Sequence, residues 1–319
     1  MKGKIAVLMG GRSLEREVSL LSGRRVSDAL EAAGYRVLAL DVTADLVQTL
    51  RSERPDAAYI ALHGKYGEDG TIQELLEFLG VPYTGPGVVA SALAWDKSVA
   101  KHLFVERDIP TPAWITLTAD AFKEMGAATA LDLIPDAVGG FPVAVKPARQ
   151  GSALGLRRVD AADELADALL TALSYDTAAV VEKWIEGVEL AVSVIGEGES
   201  LRVLPPVEIV AASGFYDFSA RVTAGEAEFF APARITPEAA DEACKIARRV
   251  HEALGCRDVS RVDLVLDAAG QPFVLECNTS PGMTETSLLP MAAEAAGMTF
   301  QDVVSRVIQA ALARGESGT

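Results

Sequence analysis

Near the carboxy terminus two apolar runs, Arg261-Val262-Asp263-Leu264-Val265-Leu266 and Phe273-Val274-Leu275-Glu276-Cys277-Asn278, are separated by a short turn through Gly270. Successive side chains of a strand point to opposite faces, so Arg261 and Asp263 share one face and Val262, Leu264 and Leu266 the other. Glu276 and Asn278 likewise share a face, opposite Leu275 and Cys277. A four-residue hairpin loop places Asp263 directly across from Glu276 and Arg261 across from Asn278. Like charges paired across strands destabilise a sheet, and a divalent cation between them removes the repulsion. Asp, Glu and Asn offer hard oxygen ligands suited to Mg²⁺ shared with phosphate oxygens. A solvated polar face is the plain alternative, but an exposed structural hairpin has no need of the Asn278-Thr279-Ser280-Pro281-Gly282 turn that follows.

The first third of the chain alternates strand and helix. Residues 5–9 read as a buried strand ending at Gly10-Gly11; Val18, Leu21, Val26, Ala29, Leu30 and Ala33 then recur at helical spacing, and Gly34 supplies a stop. Strands follow at 35–40 and 57–60, and a helix at 70–79, the rhythm of an open parallel sheet. The turn after the first strand is not G-x-G-x-x-G, and no acidic residue stands where a ribose partner belongs, which disfavours a dinucleotide site. Asp108-Ile109-Pro110-Thr111-Pro112 reads as a hinge. Beyond it come a strand, a helix and an insertion ending at Gly139-Gly140-Phe141-Pro142, then a strand over 143–146 and a helix over 160–173. Strands dominate from Val180, broken by an irregular stretch over 206–226. A helix opens at Thr236-Pro237 and closes at Gly255, and a last helix begins at Thr299.

Charge excludes some partners. With 29 Lys+Arg against 45 Asp+Glu the net charge is −16, which repels phosphate backbones and anionic membranes; any anionic substrate needs a local basic pocket. The three cysteines, Cys244, Cys256 and Cys277, are too few and too widely spaced for a zinc motif. The apolar run 5–9 is short for a signal-peptide core, and no apolar stretch approaches the ~20 residues that span a bilayer. A cytoplasmic protein with reduced thiols is expected.

Lys146-Pro147-Ala148-Arg149-Gln150-Gly151-Ser152-Ala153-Leu154-Gly155 follows a strand and is basic and rich in backbone N–H donors, which suits a lid over phosphates, although it lacks Walker spacing. In Val180-Val181-Glu182-Lys183-Trp184-Ile185 polar and apolar groups alternate; a nucleotide base could bond the backbone there while its ribose meets an acid such as Glu189. Cys244 and His251 lie on the apolar stripe of one helix and read as packing, as do Trp95 and Trp114, with His102 at the surface.

Read together, Glu15-Arg16-Glu17-Val18-Ser19, Leu62-His63-Gly64-Lys65-Tyr66-Gly67-Glu68-Asp69-Gly70, Trp95-Asp96-Lys97, Val145-Lys146-Pro147, Glu182-Lys183-Trp184 and Glu276-Cys277-Asn278-Thr279-Ser280-Pro281-Gly282-Met283-Thr284 resemble the D-alanine–D-alanine ligase family of ATP-grasp enzymes. The motifs run in family order from Gly10 to about Ser287. The resemblance implies an α/β fold of three domains: an amino-terminal open parallel sheet over 1–96, a central domain over 97–184 and a catalytic domain over 185–319, the last two clamping ATP between antiparallel sheets. It implies that Glu15 binds the ammonium of the first D-alanine with His63 close by. Lys97 and Lys146 meet the ATP phosphates, and Glu182, Lys183, Trp184, Ile185 and Glu189 hold adenine and ribose. Asp263, Glu276 and Asn278 match Mg²⁺ ligands for two ions, with Mn²⁺ as an alternative. Arg261 and the backbone N–H of Gly282 match an oxyanion site, and Ser287 with Leu288 the pocket for the second substrate's carboxylate.

The resemblance further implies D-alanyl-D-alanine synthesis for peptidoglycan precursors and a homodimer through the amino-terminal domain. D-alanine and ATP are its small-molecule partners, with no nucleic acid and no membrane. Ligases that use D-lactate or D-serine, or a non-catalytic nucleotide-binding homologue, are the alternatives. Two departures stand out. Phe218-Ser219-Ala220-Arg221-Val222 replaces a Tyr-Glu-Ala-Lys-Tyr-like stretch; Arg221 keeps the phosphate-facing charge, but Val222 cannot replace a tyrosine hydroxyl reaching Ser152 and Glu189. Ala153 stands where a second serine is common. Loop closure and second-substrate choice are the properties these changes affect.

Overall fold

The structure is a computed structural model and describes residues 2–124, 126–212, 214–216 and 225–317. β1 (Lys2–Met9), β2 (Tyr35–Asp41) and β3 (Ala57–Ile60) form a parallel sheet in the order β2-β1-β3. Parallel neighbours need a crossover, supplied between β1 and β2 by the helix Arg16–Ala32, whose Val26 and Leu30 are fully buried. The functional loops leave the carboxyl ends of β1 and β3, where open α/β sheets present their sites.

β4 (Trp114–Thr118), β5 (Val143–Pro147), β6 (Arg157–Val159) and β7 (Ala178–Lys183) pair antiparallel in the order β4-β7-β5-β6. The third sheet is built from β8 (Gly187–Ile195), β10 (Val207–Ala211), β11 (Ala227–Phe230), β12 (Val259–Asp267) and β13 (Pro272–Asn278), in the order β11-β10-β8-β12-β13, with the short β9 (Arg202–Val203) on β8. β10 therefore occupies part of the stretch read as irregular, and the helix Leu288–Ala295 is an element the sequence pattern left out.

Sheet segments are continuous in the chain, but the cores are not. Ala90 and Ala94 of the helix Val88–Trp95, with Ala100 and Phe104 of the helix Lys97–Glu106, pack against Val192, Val262 and Val274 of the third sheet. The helix Phe300–Ser317 returns to the first sheet, where Val304 and Ile308 share a cluster with Ile5 and Leu30. Its Arg314 grips the buried Asp258 with both nitrogens, at 2.8 and 2.6 Å, and the Tyr83 carbonyl at 2.8 Å. The expected hinge is stitched to β13: Val274 donates to the Pro110 carbonyl (2.8 Å), and the Thr111 hydroxyl donates to the Val274 carbonyl (2.7 Å).

Asp263 does face Glu276, and Arg261 faces Asn278, but by another route. The turn is one residue tighter than expected, Asp267 bonding directly to Gln271, and an irregularity at Leu275 restores the register. A bulge re-aims side chains. Leu275 accordingly lines the same cleft as Glu276 instead of the opposite face, while Val274 is fully buried in the core.

Candidate active site

Loops from all three sheets enclose a cavity of about 380 Å³ whose walls include Glu15, His63, Lys97, Ser152, Arg261, Glu276, Asn278, Gly282, Ser287 and Leu288. Glu15 precedes the helix Arg16–Ala32, and its carboxylate sits against Gly64 and Gly151. A Cβ at Gly151 would come within 2.8 Å of it, so glycine lets the loop after β5 approach Glu15 closely. The Ser152 hydroxyl donates to that carboxylate. Ser152 has φ +51° and Ala153 φ +54°, a turn held in left-handed conformations.

His63 joins two walls of the cavity. Its Nδ1 bonds the Ser280 carbonyl and its Nε2 the Ser22 hydroxyl, both at 2.9 Å. Burial drives its pKa down to about 4 and the nearby Arg261 guanidinium adds to this, so the ring is neutral with Nδ1 as donor. Both ring nitrogens are used within the protein; His63 braces the loop that carries Ser280. Ser22 also accepts from Met283 N at 3.1 Å, and Arg25 donates to the Met283 and Thr284 carbonyls at 3.1 and 2.8 Å. The first long helix thus holds the loop bearing Gly282. A Cβ at Gly282 would approach the Ser287 hydroxyl to 2.6 Å, so glycine lets this loop turn tightly over Ser287.

A second cavity, of about 320 Å³, lies between the two antiparallel sheets and is lined by Lys146, Glu182, Lys183, Trp184 and Ile185 on one side and by Glu189 and Leu275 of the third sheet on the other. Lys183 Nζ caps the Gly140 and Phe141 carbonyls at 3.0 and 3.2 Å. A narrow cleft of about 60 Å³, lined by Lys97, Lys146, Asp263, Glu276 and Leu275, shares walls with both cavities. The sequence-derived residues therefore fall into two chambers and a connecting neck. Arg221 and Val222, with Phe218, Ser219 and Ala220, lie outside the described residues.

Among the described residues, the two lysines of the neck and Arg261 beside it each rest on a carboxylate. Lys97 Nζ is 3.2 Å from Glu276 and donates to the Gln150 carbonyl at 2.5 Å. Lys146 Nζ is 2.5 Å from Glu182 Oε1. Arg261 grips both oxygens of Asp263 in a fork at 2.6 and 2.6 Å, which raises the guanidinium's pKa despite its burial.

One fact decides the lineage: residues 103–309 match the family described as D-ala D-ala ligase C-terminus, and residues 46–86 match D-ala D-ala ligase N-terminus. The chain belongs to the D-alanine–D-alanine ligase family. A D-alanine–D-alanine ligase from Pelotomaculum thermopropionicum is 44% identical over 310 residues, covering 97% of this chain and 96% of that protein. One from Cupriavidus necator is 45% identical over 309 residues, 97% of this chain and 92% of the relative. Among solved structures, the D-alanine–D-alanine ligase from Bacillus anthracis complexed with ATP aligns with a TM-score of 0.83 at 31% identity, over 99% of this chain and 100% of that one. A D-Ala:D-Ser ligase from Enterococcus faecalis gives 0.83 at 30% identity, over 98% and 100%.

Within this D-alanine–D-alanine ligase fold the structure adds residues to which the sequence reading gave no role. Tyr216 borders both cavities and the neck, within the stretch read as irregular. Trp95, read as packing, lines the cavity that holds Glu15 and Arg261. Glu68 is buried 3.9 Å from His63 Nδ1; burial, then the charge of Glu15, pushes its pKa up to about 8. Lys101 lies beneath Glu182 with no exposed surface. Its signal was present: Lys97, Lys101 and Phe104 sit at i, i+4 and i+7, so Lys101 occupies a core position of its helix. His251, by contrast, is a buried core group bonded to Ser260 at 2.7 Å.

Proposed function

We propose that this ATP-dependent ligase joins two D-alanines into D-alanyl-D-alanine through an acyl phosphate, as a supplier of peptidoglycan precursors in the cytoplasm. The observation that carries this reading is the single cavity uniting Glu15, Arg261, Gly282 and Ser287 beside the neck that holds both lysines. Glu15 meets the ammonium of the first D-alanine by a charge-assisted hydrogen bond. A carboxylate oxygen of that substrate attacks the γ-phosphorus of ATP, and ADP leaves. Lys97 and Lys146 neutralise phosphate charge, while Glu182, the 183–185 linker and Glu189 hold the base and ribose. The amine of the second D-alanine, its carboxylate at Ser287 and Leu288, then attacks the acyl carbon. Arg261 and the Gly282 N–H stabilise the oxyanion as phosphate departs. Ser152 orders the lid against Glu15, and Arg221 supplies a further positive charge from the loop.

The donor chemistry at the neck fits Mg²⁺. Asp263 and Glu276 face each other in register with Asn278 two residues on. Among the described residues no three His, Cys, Asp or Glu side chains gather as a metal site by themselves. The two facing carboxylates suit an ion that takes one or two carboxylates and completes its shell with phosphate oxygens and water. Asp263, Glu276 and Asn278 would hold it, and Mg²⁺ or Mn²⁺ supplies charge neutralisation of the phosphates. We read residues 1–96, 97–184 and 185–319 as the three domains and the amino-terminal one as a homodimer surface. No helix among the described residues is long and apolar enough to cross a membrane.

The test is incubation with ATP, Mg²⁺ and D-alanine, with D-serine and D-lactate as competitors, scoring ADP, phosphate and product identity. Dipeptide of D-alanine as the main product is expected; depsipeptide or a D-serine product near neutral pH overturns the substrate choice. Glu15→Gln should raise the D-alanine KM of the first site by about tenfold, the worth of a charged hydrogen bond, with ATP affinity unchanged.

A further inference from the structure

Glu182 is almost sealed from solvent and is shared by two ammonium groups. Lys146 Nζ approaches Oε1 at 2.5 Å, and Lys101 Nζ approaches Oε2 at 2.8 Å. The two lysines differ in access. Lys146 lines the nucleotide cavity and the neck, whereas Lys101 is 0% exposed and lines neither. Lys101 is fixed from behind: its Nζ donates to the Thr111 hydroxyl at 2.6 Å, which passes a hydrogen bond on to the Val274 carbonyl at 2.7 Å, and the Trp114 ring lies 5.6 Å away. Lys101 cannot touch a nucleotide in that cavity, so it acts through Glu182.

A one-to-one pair of Lys146 and Glu182 would be a trap. Turning Lys146 toward a phosphate would leave a buried carboxylate without a partner, and breaking a buried ion pair from one side is strongly unfavourable. With a second ammonium in place, Glu182 stays paired while Lys146 is released, and the cluster of two lysines and one glutamate keeps a net positive charge facing the neck. We propose that Lys101 is a positioning residue for the nucleotide: it holds Glu182 permanently so that Lys146 is free to serve the ATP phosphates. This rests on reading the inter-sheet cavity as the ATP site. The ionisation pattern agrees with it. Burial, with the charge of Lys146, pulls the Lys101 pKa down to about 8 against the attraction of Glu182, and burial pushes the Glu182 carboxyl up but is outweighed by the two ammoniums, which leave it below the usual carboxylate range.

The experiment is a double-mutant cycle read by calorimetric ATP binding, with KM for ATP and kcat measured alongside. Lys101→Gln should weaken ATP binding about tenfold or more and raise its KM in parallel, the scale of one charge-assisted contact to phosphate, with kcat at saturation within about threefold of wild type. In the Glu182→Gln background the same change should matter by less than about twofold, because no buried carboxylate is left to hold. If Lys101→Gln does not fold, Thr111→Val, which removes the oxygen that orients Lys101, repeats the cycle with about threefold loss when Glu182 is present and none in the Glu182→Gln background. Equal losses in both backgrounds, or a lowered melting temperature with ATP affinity unchanged, overturn the proposal. Wild-type protein that fails to bind ATP overturns the site reading itself, whereas normal ATP binding without coupling overturns the role of Lys101 alone.

Discussion

Lys97 and Lys146 line the same neck and each rests on a glutamate, yet the two pairs differ in what becomes of the glutamate once its lysine moves. The side chain of Glu276 is 22% exposed and lies across from Asp263, so a cation can replace Lys97 as its partner. The side chain of Glu182, on β7, is 3% exposed, so only another protein group can replace Lys146, and Lys101 is that group. The same local pattern, a lysine on a carboxylate, is therefore an exchangeable contact at one end of the neck and a fixed one at the other. Burial makes the difference, since a carboxylate near solvent can await a metal but a sealed one cannot be left unpaired.

The strongest test of the comparison removes the exchangeable carboxylate. Glu276→Gln keeps the shape and loses the charge, and ATP turnover should fall by on the order of a hundredfold or more as phosphate-charge neutralisation is lost, with the melting temperature unchanged or higher. Near-normal turnover at low Mg²⁺ in that variant would show that Glu276 is no metal ligand.

A smaller effect separates the two lysines. Lys97→Met and Lys146→Met should each weaken ATP binding by about tenfold. Only the first should lower the Mg²⁺ concentration needed for half-maximal turnover, because it removes the ammonium that competes for Glu276 and leaves Glu182 unaffected. A shift in the Mg²⁺ requirement of Lys146→Met would erase the distinction.

The smallest effect is in pH. Lys101, facing Glu182, Lys146 and Glu276, has its pKa lowered by burial from the ordinary 10.5 to about 8. The unfolded chain therefore binds more protons between about pH 8 and pH 10.5, so the contribution of Lys101 to stability rises with pH across that window. ATP affinity should move the opposite way, falling above about pH 8 as Glu182 loses its second cation, and titrations of melting temperature and ATP affinity on one preparation check the opposed signs. Parallel trends would mean that Lys101 acts on the fold and not on the nucleotide.

Much of the site was legible because its chemistry sits in short motifs on strands and turns. Period-two alternation placed Arg261 with Asp263 and Glu276 with Asn278, and the pairing across the hairpin came out as the spacing implied. It did so because two departures cancel: a tighter turn and an irregularity at Leu275, invisible in a pattern that assumes regular pairing. The side on which Leu275 lies was lost for the same reason. Lys101 was passed over because a lysine is ordinarily a surface residue, and only the carboxylate arriving from β7 gives it a reason to be inside.

Sequence alone determined the parallel first sheet, the carboxylate hairpin, the glycine-bearing loops and the order of the motifs, all of which depend on neighbours within a few residues of one another. Tertiary structure decided which segments share a core: the helix Lys97–Glu106 lies under the third sheet, and the helix Phe300–Ser317 packs on the first. It also decided which charges meet, bringing Lys101 and Lys146 to Glu182 and Ser152 to Glu15. Propensity and periodicity act along the chain, whereas the pairing of buried charges depends on groups far apart in sequence, and only the packed interior makes those pairings obligatory.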